Sequence, residues 1–382
     1  MKTVYLDNAA TTQIDDQVIE VVHSSMKNNY GNPSSIHQYG RKAKTAVETA
    51  RKEIAKHLHV SSSEIIFTAG GTEADNLIIH NAVFNLGVRR IVTSKIEHHA
   101  VLHMCTHLEN TDKVTVDYVA VDEFGGVNLS HLEELLSISN TKTLVSLMHI
   151  NNEIGTILEV EKVSQICKRT NALFHSDTVQ TIGHYPIDLQ KTSIDFLVAS
   201  AHKFHGPKGV GFAFIRKDSG LKSIIFGGEQ ERGFRAGTEC VHNIAGLAEA
   251  FKIATTNLVA EGAFIKNIKS YFIESLKKAV PECSFNGHSG HLEKSAYTSV
   301  NVCFPISEEK SAMFLFQLDL KGIACSKGSA CQSGSTKKSH VLSAILNEEE
   351  LSKPSIRFSF SIFNTKEDVD YVVKCLQELV YC

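Results

Sequence analysis

The chain has 382 residues, of which 42% are hydrophobic and 21% charged, and its net charge at pH 7 is −3. That length suits two domains of unequal size, and the nearly neutral charge gives no electrostatic basis for binding nucleic acid or an anionic membrane. No apolar run predicts a membrane span, and no signal peptide is expected at the start of the chain. The nine cysteines include no Cys-x-x-Cys pair, which favours a reduced, cytoplasmic protein with free thiols.

From residue 64 onward, strand patterns alternate with helix patterns. The predicted strands are 64–68, 89–94, 114–121, 143–150 and 172–175. The predicted helices are 72–84, 98–108, 129–136 and 160–170. This alternation predicts βαβ units and a mainly parallel sheet, in which ligands bind beyond the carboxyl ends of the strands.

The last third of the chain has a different pattern. A long helix is predicted from 241 to about 280. After it we predict half-buried strands at 296–304 and 355–360, and helices at 310–320, 338–347 and 366–380. We therefore expect a large domain at 16–257 and a smaller α/β domain formed by 1–15 and 258–382.

Two polar segments that follow apolar strands carry the chemistry of a cofactor site. Lys203 lies in a Gly/Pro-rich turn directly after the apolar segment 194–199. Packing against a sheet would desolvate its ammonium group and lower its pKa, so that the free amine forms a Schiff base. Asp177 ends a similar segment, and pyridoxal phosphate needs such an acid for its pyridinium nitrogen. Thr72 and Asn152 also follow predicted strands, so we expect all four at one edge of the sheet.

Four further segments each have a functional and a structural interpretation. The segment 70–72 opens a helix and either binds phosphate or forms an ordinary turn capped by its threonine. His98 either stacks on a planar cofactor or caps a helix. The arginines of the loop 227–238 indicate anion contact, although the loop could be a simple connector. Cys331 lies in a small polar segment, where its thiol is either exposed and reactive or incidental.

These motifs together resemble those of the cysteine desulfurases of the NifS and IscS type, in the class-V aminotransferases. The similar segments run from 5–12 to 328–331 and cover essentially the whole chain. Between them lie 31–37, 68–76, 97–98, 148–155, 177–180, 200–203, 228–233 and 235–238. The resemblance implies an α/β fold, the pyridoxal-phosphate-dependent transferase fold type I. It has a large, mainly parallel-sheet domain and a smaller α/β domain.

The resemblance also implies the catalytic roles. Lys203 would carry pyridoxal 5'-phosphate and move the Cα proton, while Cys331 would attack the substrate sulfur. Asp177 would pair with the pyridine N–H, Gln180 would donate to the phenolate oxygen and His98 would stack on the ring.

The remaining implied roles are binding roles. Arg357 would bind the substrate carboxylate with help from Asn152. The residues that would bind the cofactor phosphate are Gly71, Thr72, Ser200, His202 and Thr238 of the partner subunit. No metal site is predicted, because His202 and His205 have no further ligands near them in the sequence.

The implied reaction converts L-cysteine to L-alanine and leaves a persulfide on Cys331. A homodimer would pass the sulfur to an acceptor such as an iron–sulfur scaffold or a tRNA-thiolation protein. The alternatives are a selenocysteine lyase, another class-V pyridoxal enzyme and a non-catalytic sulfur carrier. The loop cysteine argues against an aminotransferase, and the presence of both Lys203 and Cys331 argues against the carrier. Cys325, on the same loop, is expected to be neutral for activity.

Overall fold

Strands and helices alternate through most of the chain in this computed structural model, which describes residues 2–111, 113–138, 141–328 and 338–381. The strands are β1 (Val4–Tyr5), β2 (Ile65–Thr68), β3 (Arg90–Thr93), β4 (Thr115–Tyr118), β5 (Thr143–Ser146), β6 (Leu173–Asp177), β7 (Phe196–Ser200), β8 (Gly211–Ile215), β9 (Ser284–Phe285), β10 (Ser299–Cys303), β11 (Ile323–Ala324) and β12 (Ser355–Ser359). The α-helices are α1 (Asp16–Asn28), α2 (Gln38–His57), α3 (Gly71–Phe84), α4 (His99–Asn110), α5 (Leu129–Ser137), α6 (Val160–Arg169), α7 (Val241–Ala279), α8 (Glu308–Leu320), α9 (His340–Ile345), α10 (Glu348–Ser352) and α11 (Lys366–Tyr381). Within these ranges, none of the helices combines the length and apolar character needed to cross a bilayer.

A seven-stranded sheet with the order β2-β8-β7-β6-β5-β3-β4 forms the centre of the larger part of the structure. Strand β8 runs antiparallel to both of its neighbours, and the other neighbouring pairs are parallel. The prediction of a mainly parallel sheet is therefore confirmed. Every residue of β2, β3, β5, β7 and β8 is buried, as expected for strands that helices cover on both faces.

The two faces of this sheet belong to separate hydrophobic cores. Side chains of α2, α6 and the first part of α7 pack on one face, and those of α3 and α4 pack on the other. Successive strand residues alternate between these cores, so that Leu144 lies in one and Val145 in the other. The strands are thereby held in a fixed register, and all of them except β8 have their carboxyl ends along one edge.

A second, smaller core lies around the three-stranded antiparallel sheet β12-β10-β9. It includes Phe272 of α7, Phe304 and Phe358, and the ring of Phe358 contacts the other two. Strand β1 pairs in parallel with β11, which places the N-terminal residues beside this smaller sheet. Helix α7 reaches both cores, so the domain boundary predicted between 257 and 258 falls inside one continuous helix. The division into domains stays a prediction.

Two features of the fold differ from the sequence-based expectation. The predicted strand 143–150 ends as β5 at Ser146, although the chain remains buried at Leu147, Met148 and Ile150. A continuous apolar run does not distinguish a strand from a buried segment that leaves the sheet. Helix α2 was not predicted, although its buried residues Ala43, Val47, Ala50 and Ile54 recur at helical spacing.

A buried ion pair fixes the loop 227–238 against β2. Arg51 donates from Nη1 and Nη2 to the two carboxylate oxygens of Glu231, at 2.7 and 2.8 Å. The same carboxylate accepts from the backbone N–H of Phe67 at 2.7 Å, and Arg51 also donates to the carbonyl of Ile65. The two side chains of the pair are only 2% and 3% exposed. Each charge therefore depends on the other for compensation.

We expect Glu231→Gln to lower the free energy of unfolding by about 3–5 kcal/mol, because Arg51 loses its buried carboxylate partner and keeps only the more exposed Glu48. The matched control is Glu48→Gln, since Glu48 also contacts Arg51 but its side chain is 36% exposed. That control should cost less than about 1 kcal/mol. Urea titration of both variants measures the difference. Equal losses in the two variants would show that the buried pair has no special part in stability.

Candidate active site

A cavity of about 200 Å³ lies beyond the carboxyl ends of β5, β6 and β7. Ten of the residues that the sequence predicted as site residues line it, namely Gly71, Thr72, His98, Asn152, Asp177, Gln180, Ser200, His202, Lys203 and Arg357. Thr238 lies elsewhere, in an opening that it shares with Arg235 and Gly237. Cys331 lies outside the described residues.

The N-terminus of α3 forms one end of the cavity. The helix begins at Gly71 and its N-cap is Gly70, so the alternative in which Thr72 caps it is wrong. A Cβ atom on Gly71 would lie 2.7 Å from Cγ2 of Val179, which shows how closely the helix start approaches the segment after β6. Ser200 and His202 line the cavity and a second opening together with this helix start. Backbone N–H groups beside hydroxyl and imidazole donors suit a phosphate group.

Lys203 reaches the N-terminal segment of the chain. It ends a short 3-10 helix, Ala201–Lys203, directly after β7. Its Nζ donates to the carbonyl oxygens of Ala9 and Ala10 at 2.7 and 2.8 Å. Gln180 also donates to the carbonyl of Ala9, at 3.0 Å. Ala9 and Ala10 were not predicted as site residues, because alanine has no side-chain chemistry that would indicate its backbone contacts.

Buried carboxyl groups surround the middle of the cavity. Burial raises the pKa of Asp177 to about 6, although hydrogen bonding from the Val179 N–H and the charge of Lys203 oppose that rise. Burial, and then the charges of Asp177 and Glu97, raise the pKa of Asp75. Asp75 lines the cavity, and its Oδ1 is buried with no hydrogen-bond partner in the described part of the chain. Such a site favours a cationic ligand group.

His98 caps a helix and also lines the cavity, and its stacking on a cofactor stays a prediction. Its Nδ1 accepts from the N–H of Ala100 at 3.1 Å at the start of α4. Burial, and then the charge of Lys203, lower the pKa of His98 to about 4. The ring is therefore neutral at pH 7. Its proton is on Nε2, because Nδ1 is an acceptor.

Arg357 provides the cationic end of the cavity. It lies on β12 and is 1% exposed. Its Nη2 donates to Asp7 at 2.9 Å and its Nη1 donates to the carbonyl of Asn152 at 2.6 Å. Its Nε has no hydrogen-bond partner among the residues that the structure describes. A guanidinium group held in this way suits a carboxylate ligand.

The arginines of the loop 227–238 are bound within the chain. Arg235 pairs with Glu73 at 2.9 Å, and Arg232 donates to the carbonyl of Ser62 at 2.8 Å. These contacts fix the loop to α3 and to the short segment before β2, and the anion contact suggested for these arginines stays a prediction. In the described ranges, no group of three or more His, Cys, Asp or Glu side chains is arranged to hold a metal ion.

Comparison with known proteins gives the family. Residues 4–372 match the family described as aminotransferase class-V. The chain is 41% identical over 381 residues to a cysteine desulfurase IscS of Dictyoglomus turgidum, covering 99% of this chain and 95% of the relative. It superposes on a NifS-like protein with a TM-score of 0.90 at 38% identity, covering 99% of both chains. A structure of SspA in complex with cysteine gives a TM-score of 0.79 at 30% identity, covering 95% of this chain and 100% of that one.

This chain therefore belongs to the class-V aminotransferases, and within them to the cysteine desulfurases of the NifS and IscS type. The pyridoxal-phosphate-dependent transferase fold type I is thereby confirmed. Pyridoxal phosphate is the cofactor of this family, and the cavity fits it. The lysine lies beside the buried carboxyl groups of Asp75 and Asp177, and the open start of α3 lies at one end.

The buried histidine of β6, His175, predicts how the stability of the protein depends on pH. His175 on β6 is fully buried, its Nε2 is 3.4 Å from Oδ1 of Asp75, and burial lowers its pKa to about 3. The unfolded chain binds a proton on this ring near its ordinary pKa of about 6.5, whereas the folded chain does not. This contribution to stability is therefore present above pH 6.5 and is lost as the pH falls.

Between pH 7 and pH 5, we expect His175 to account for about 2 kcal/mol of lost unfolding free energy. His175→Gln should flatten the pH dependence by that amount, because glutamine does not titrate. The control is His23→Gln on the exposed surface of α1, which should leave the slope unchanged. Urea titrations at several pH values measure these slopes. An unchanged slope in His175→Gln would contradict the assignment.

Proposed function

We propose that this chain is a pyridoxal-phosphate-dependent cysteine desulfurase, which converts L-cysteine to L-alanine and leaves a persulfide on Cys331. The observation that carries the proposal is the single cavity lined by Lys203, Asp177 and Arg357. It combines a lysine for the cofactor, an acid for the ring nitrogen and a guanidinium group for the substrate carboxylate. The named relatives and the cysteine-bound structure support this choice of substrate.

When bound, pyridoxal phosphate supplies an electron sink for the negative charge that develops at the substrate Cα. In this proposal, Lys203 holds the cofactor and moves the proton at that carbon. Asp177 presents its buried carboxylate to the ring nitrogen, where it stabilises a positive charge. The neutral ring of His98 stacks on the cofactor. In the structure the amide of Gln180 donates to the carbonyl of Ala9. In the proposal the same amide donates to the phenolate oxygen of the cofactor.

The phosphate and the substrate are placed at different parts of the cavity. The start of α3 at Gly71 and Thr72, together with Ser200 and His202, binds the phosphate. Arg357 binds the substrate carboxylate, and Asn152, which lies beside it, supports that interaction. Because the guanidinium is already held by Asp7, little side-chain entropy remains to be lost on binding.

The sulfur transfer assigned to Cys331 needs a thiolate. It forms an S–S bond with the substrate sulfur as the Cβ–S bond breaks, and Cβ gains a proton to give alanine. Cys325 is less suited to this role, because burial and then the charge of Asp7 raise the pKa of its thiol well above the ordinary range. Cys325 also packs against the smaller hydrophobic core. A thiol that stays protonated is a poor nucleophile.

We expect Cys331→Ala to retain pyridoxal phosphate but to form no persulfide and almost no alanine from cysteine. Cys325→Ala should keep most of the activity, and Lys203→Ala should lose both turnover and the visible absorbance of the bound cofactor. Alanine release and mass spectrometry of the Cys331 peptide measure these effects. The same assay with selenocysteine tests the selenocysteine lyase alternative. Normal alanine release by Cys331→Ala, or sulfur found on Cys325, would sink the proposed mechanism.

The same proposal makes the enzyme a homodimer in which Thr238 of the partner subunit completes the phosphate site. Two observations support it. Thr238 is exposed and does not line the cavity of its own chain. Two large apolar side chains are also exposed: Phe226, which comes shortly before the loop that contains Thr238, is 88% exposed, and Ile36, between α1 and α2, is 91% exposed. Exposed apolar residues of this kind are typical of subunit contacts.

A mixed dimer distinguishes the two possible origins of Thr238. We expect a heterodimer of one Lys203→Ala subunit and one Thr238→Ala subunit to keep one intact site, because each site uses its own lysine and the other subunit's threonine. The control heterodimer pairs a wild-type subunit with a Lys203→Ala/Thr238→Ala subunit, and it should retain cofactor poorly. Cofactor content after gel filtration measures both. The reverse pattern would place Thr238 in its own subunit's site.

We further propose that the persulfide sulfur passes to an acceptor protein of iron–sulfur cluster assembly or tRNA thiolation in the cytoplasm. The free cysteines among the described residues and the relatives named cysteine desulfurase IscS support this assignment. Incubation of the persulfide form with candidate acceptors, followed by measurement of sulfur on each, identifies the recipient.

A further inference from the structure

The two ends of the segment that contains Cys331 meet at one buried carboxylate. Gly328 precedes the segment, and a Cβ atom placed on it would lie 2.6 Å from Oε2 of Glu153. Ser339 follows the segment, and its hydroxyl donates to the same oxygen of Glu153. The side chain of Glu153, in the loop between β5 and α6, therefore contacts the chain both before and after the segment that contains the reactive cysteine.

Glu153 itself is rigidly held. It is 1% exposed, and its N–H donates to Oδ1 of Asn151 at 2.9 Å. Its carbonyl accepts from Nδ2 of Asn301 on β10 at 3.1 Å. Because both backbone groups are fixed, the position of the carboxylate depends little on side-chain motion elsewhere.

Further contacts connect both ends of the segment to the cavity. Before it, Ser326 and Arg357 exchange backbone hydrogen bonds, the shorter one 2.7 Å from the Arg357 N–H to the Ser326 carbonyl. After it, Nε2 of His340 donates to the carbonyl of Glu97 at 2.8 Å, next to His98. The ends therefore lie beside the residues proposed to bind substrate and cofactor.

The contact between Gly328 and Glu153 is important because the chain from Gly328 to Cys331 is short. Cys331 comes three residues after Gly328, and even a fully extended chain of that length spans only about 10 Å. Attachment at Gly328, which lies against Glu153, therefore limits how far the Cys331 backbone can extend from this carboxylate. Asn152 is adjacent to Glu153 in the chain and lines the cavity. Fixing the ends at this point raises the local concentration of the thiol where the substrate sulfur would lie.

We propose that Glu153 is a positioning residue for sulfur transfer, which holds both ends of the Cys331 segment beside the substrate site. This inference rests on the proposed desulfurase function. Glu153 does not touch the reacting atoms and acts through Ser339 and Gly328. Its loss should therefore slow attack by the thiol, while cofactor binding and cysteine binding remain unchanged.

The experiment compares four variants in single-turnover reactions with cysteine. Glu153→Ala and Ser339→Ala should form the Cys331 persulfide about ten-fold more slowly, with cofactor affinity and the KM for cysteine unchanged. Ser339→Thr keeps the hydroxyl and should react at the wild-type rate. Ser339→Asp should be slow, although it can still accept from the Leu342 N–H as the N-cap of α9. That variant separates loss of the Glu153 contact from loss of the helix cap.

A second measurement is independent of turnover. Lys327 and Lys338 flank the segment, so we expect limited trypsin digestion there to be faster in Glu153→Ala and Ser339→Asp than in the wild-type protein. The double variant Glu153→Ala/Ser339→Ala should be no worse than Glu153→Ala alone, because the two residues act through one contact.

Wild-type rates of persulfide formation and of cleavage in Ser339→Asp and Glu153→Ala would overturn the positioning role and leave the desulfurase function intact. If Glu153→Ala does not fold, the serine variants give the same test. If the wild-type protein itself forms no persulfide, the proposed function is wrong and the positioning role of Glu153 is wrong with it.

Discussion

The site depends on an uneven distribution of buried charge. Burial raises the pKa of Asp75, Glu97 and Asp177, and the charges of acidic neighbours add to this rise for Asp75 and Glu97. Glu97 has its pKa raised to about 8, so it is protonated at neutral pH. Lys203 favours the ionised form of Asp177. A cationic ring nitrogen at this position would stabilise the ionised carboxylate, so the fold is pre-arranged for its cofactor at some cost to its own stability.

The same low-dielectric surroundings keep the nearby histidines neutral. Burial and then the charge of Lys203 lower the pKa values of His98 and His202 to about 4. Neutral rings can lie close to a lysine without repelling its ammonium group, and each still offers a hydrogen bond. His202 uses one nitrogen for Thr11, which ties the lysine turn to the N-terminal segment. Hydrogen-bonding groups are thus present around the lysine without additional positive charge.

The N-terminal segment joins parts of the chain that are far apart in sequence. Its β1 strand pairs with β11, Asp7 holds Arg357, and the carbonyls of Ala9 and Ala10 accept from Lys203. The guanidinium group of the smaller sheet and the lysine of the larger sheet are therefore placed relative to each other by one short stretch of backbone. Precise placement of this kind matters, because small displacements of reacting groups reduce rates strongly.

The sequence by itself determined the mainly parallel sheet and the placement of Thr72, Asn152, Asp177 and Lys203 at one cavity. Apolar periodicity is local, and the carboxyl ends of parallel strands meet at one edge whatever their spacing along the chain. Motif resemblance supplied Arg357, which no local pattern indicates.

Only the tertiary structure decided the contacts of Lys203 with Ala9 and Ala10, of Arg357 with Asp7 and of Glu153 with Ser339. These partners are separated by 194, 193, 350 and 186 residues, respectively. Backbone carbonyls give no sequence signal, and a carboxylate in a loop motif does not reveal which distant hydroxyl it will accept from. Such choices are made by how the two cores pack and by the requirement that buried polar groups find partners.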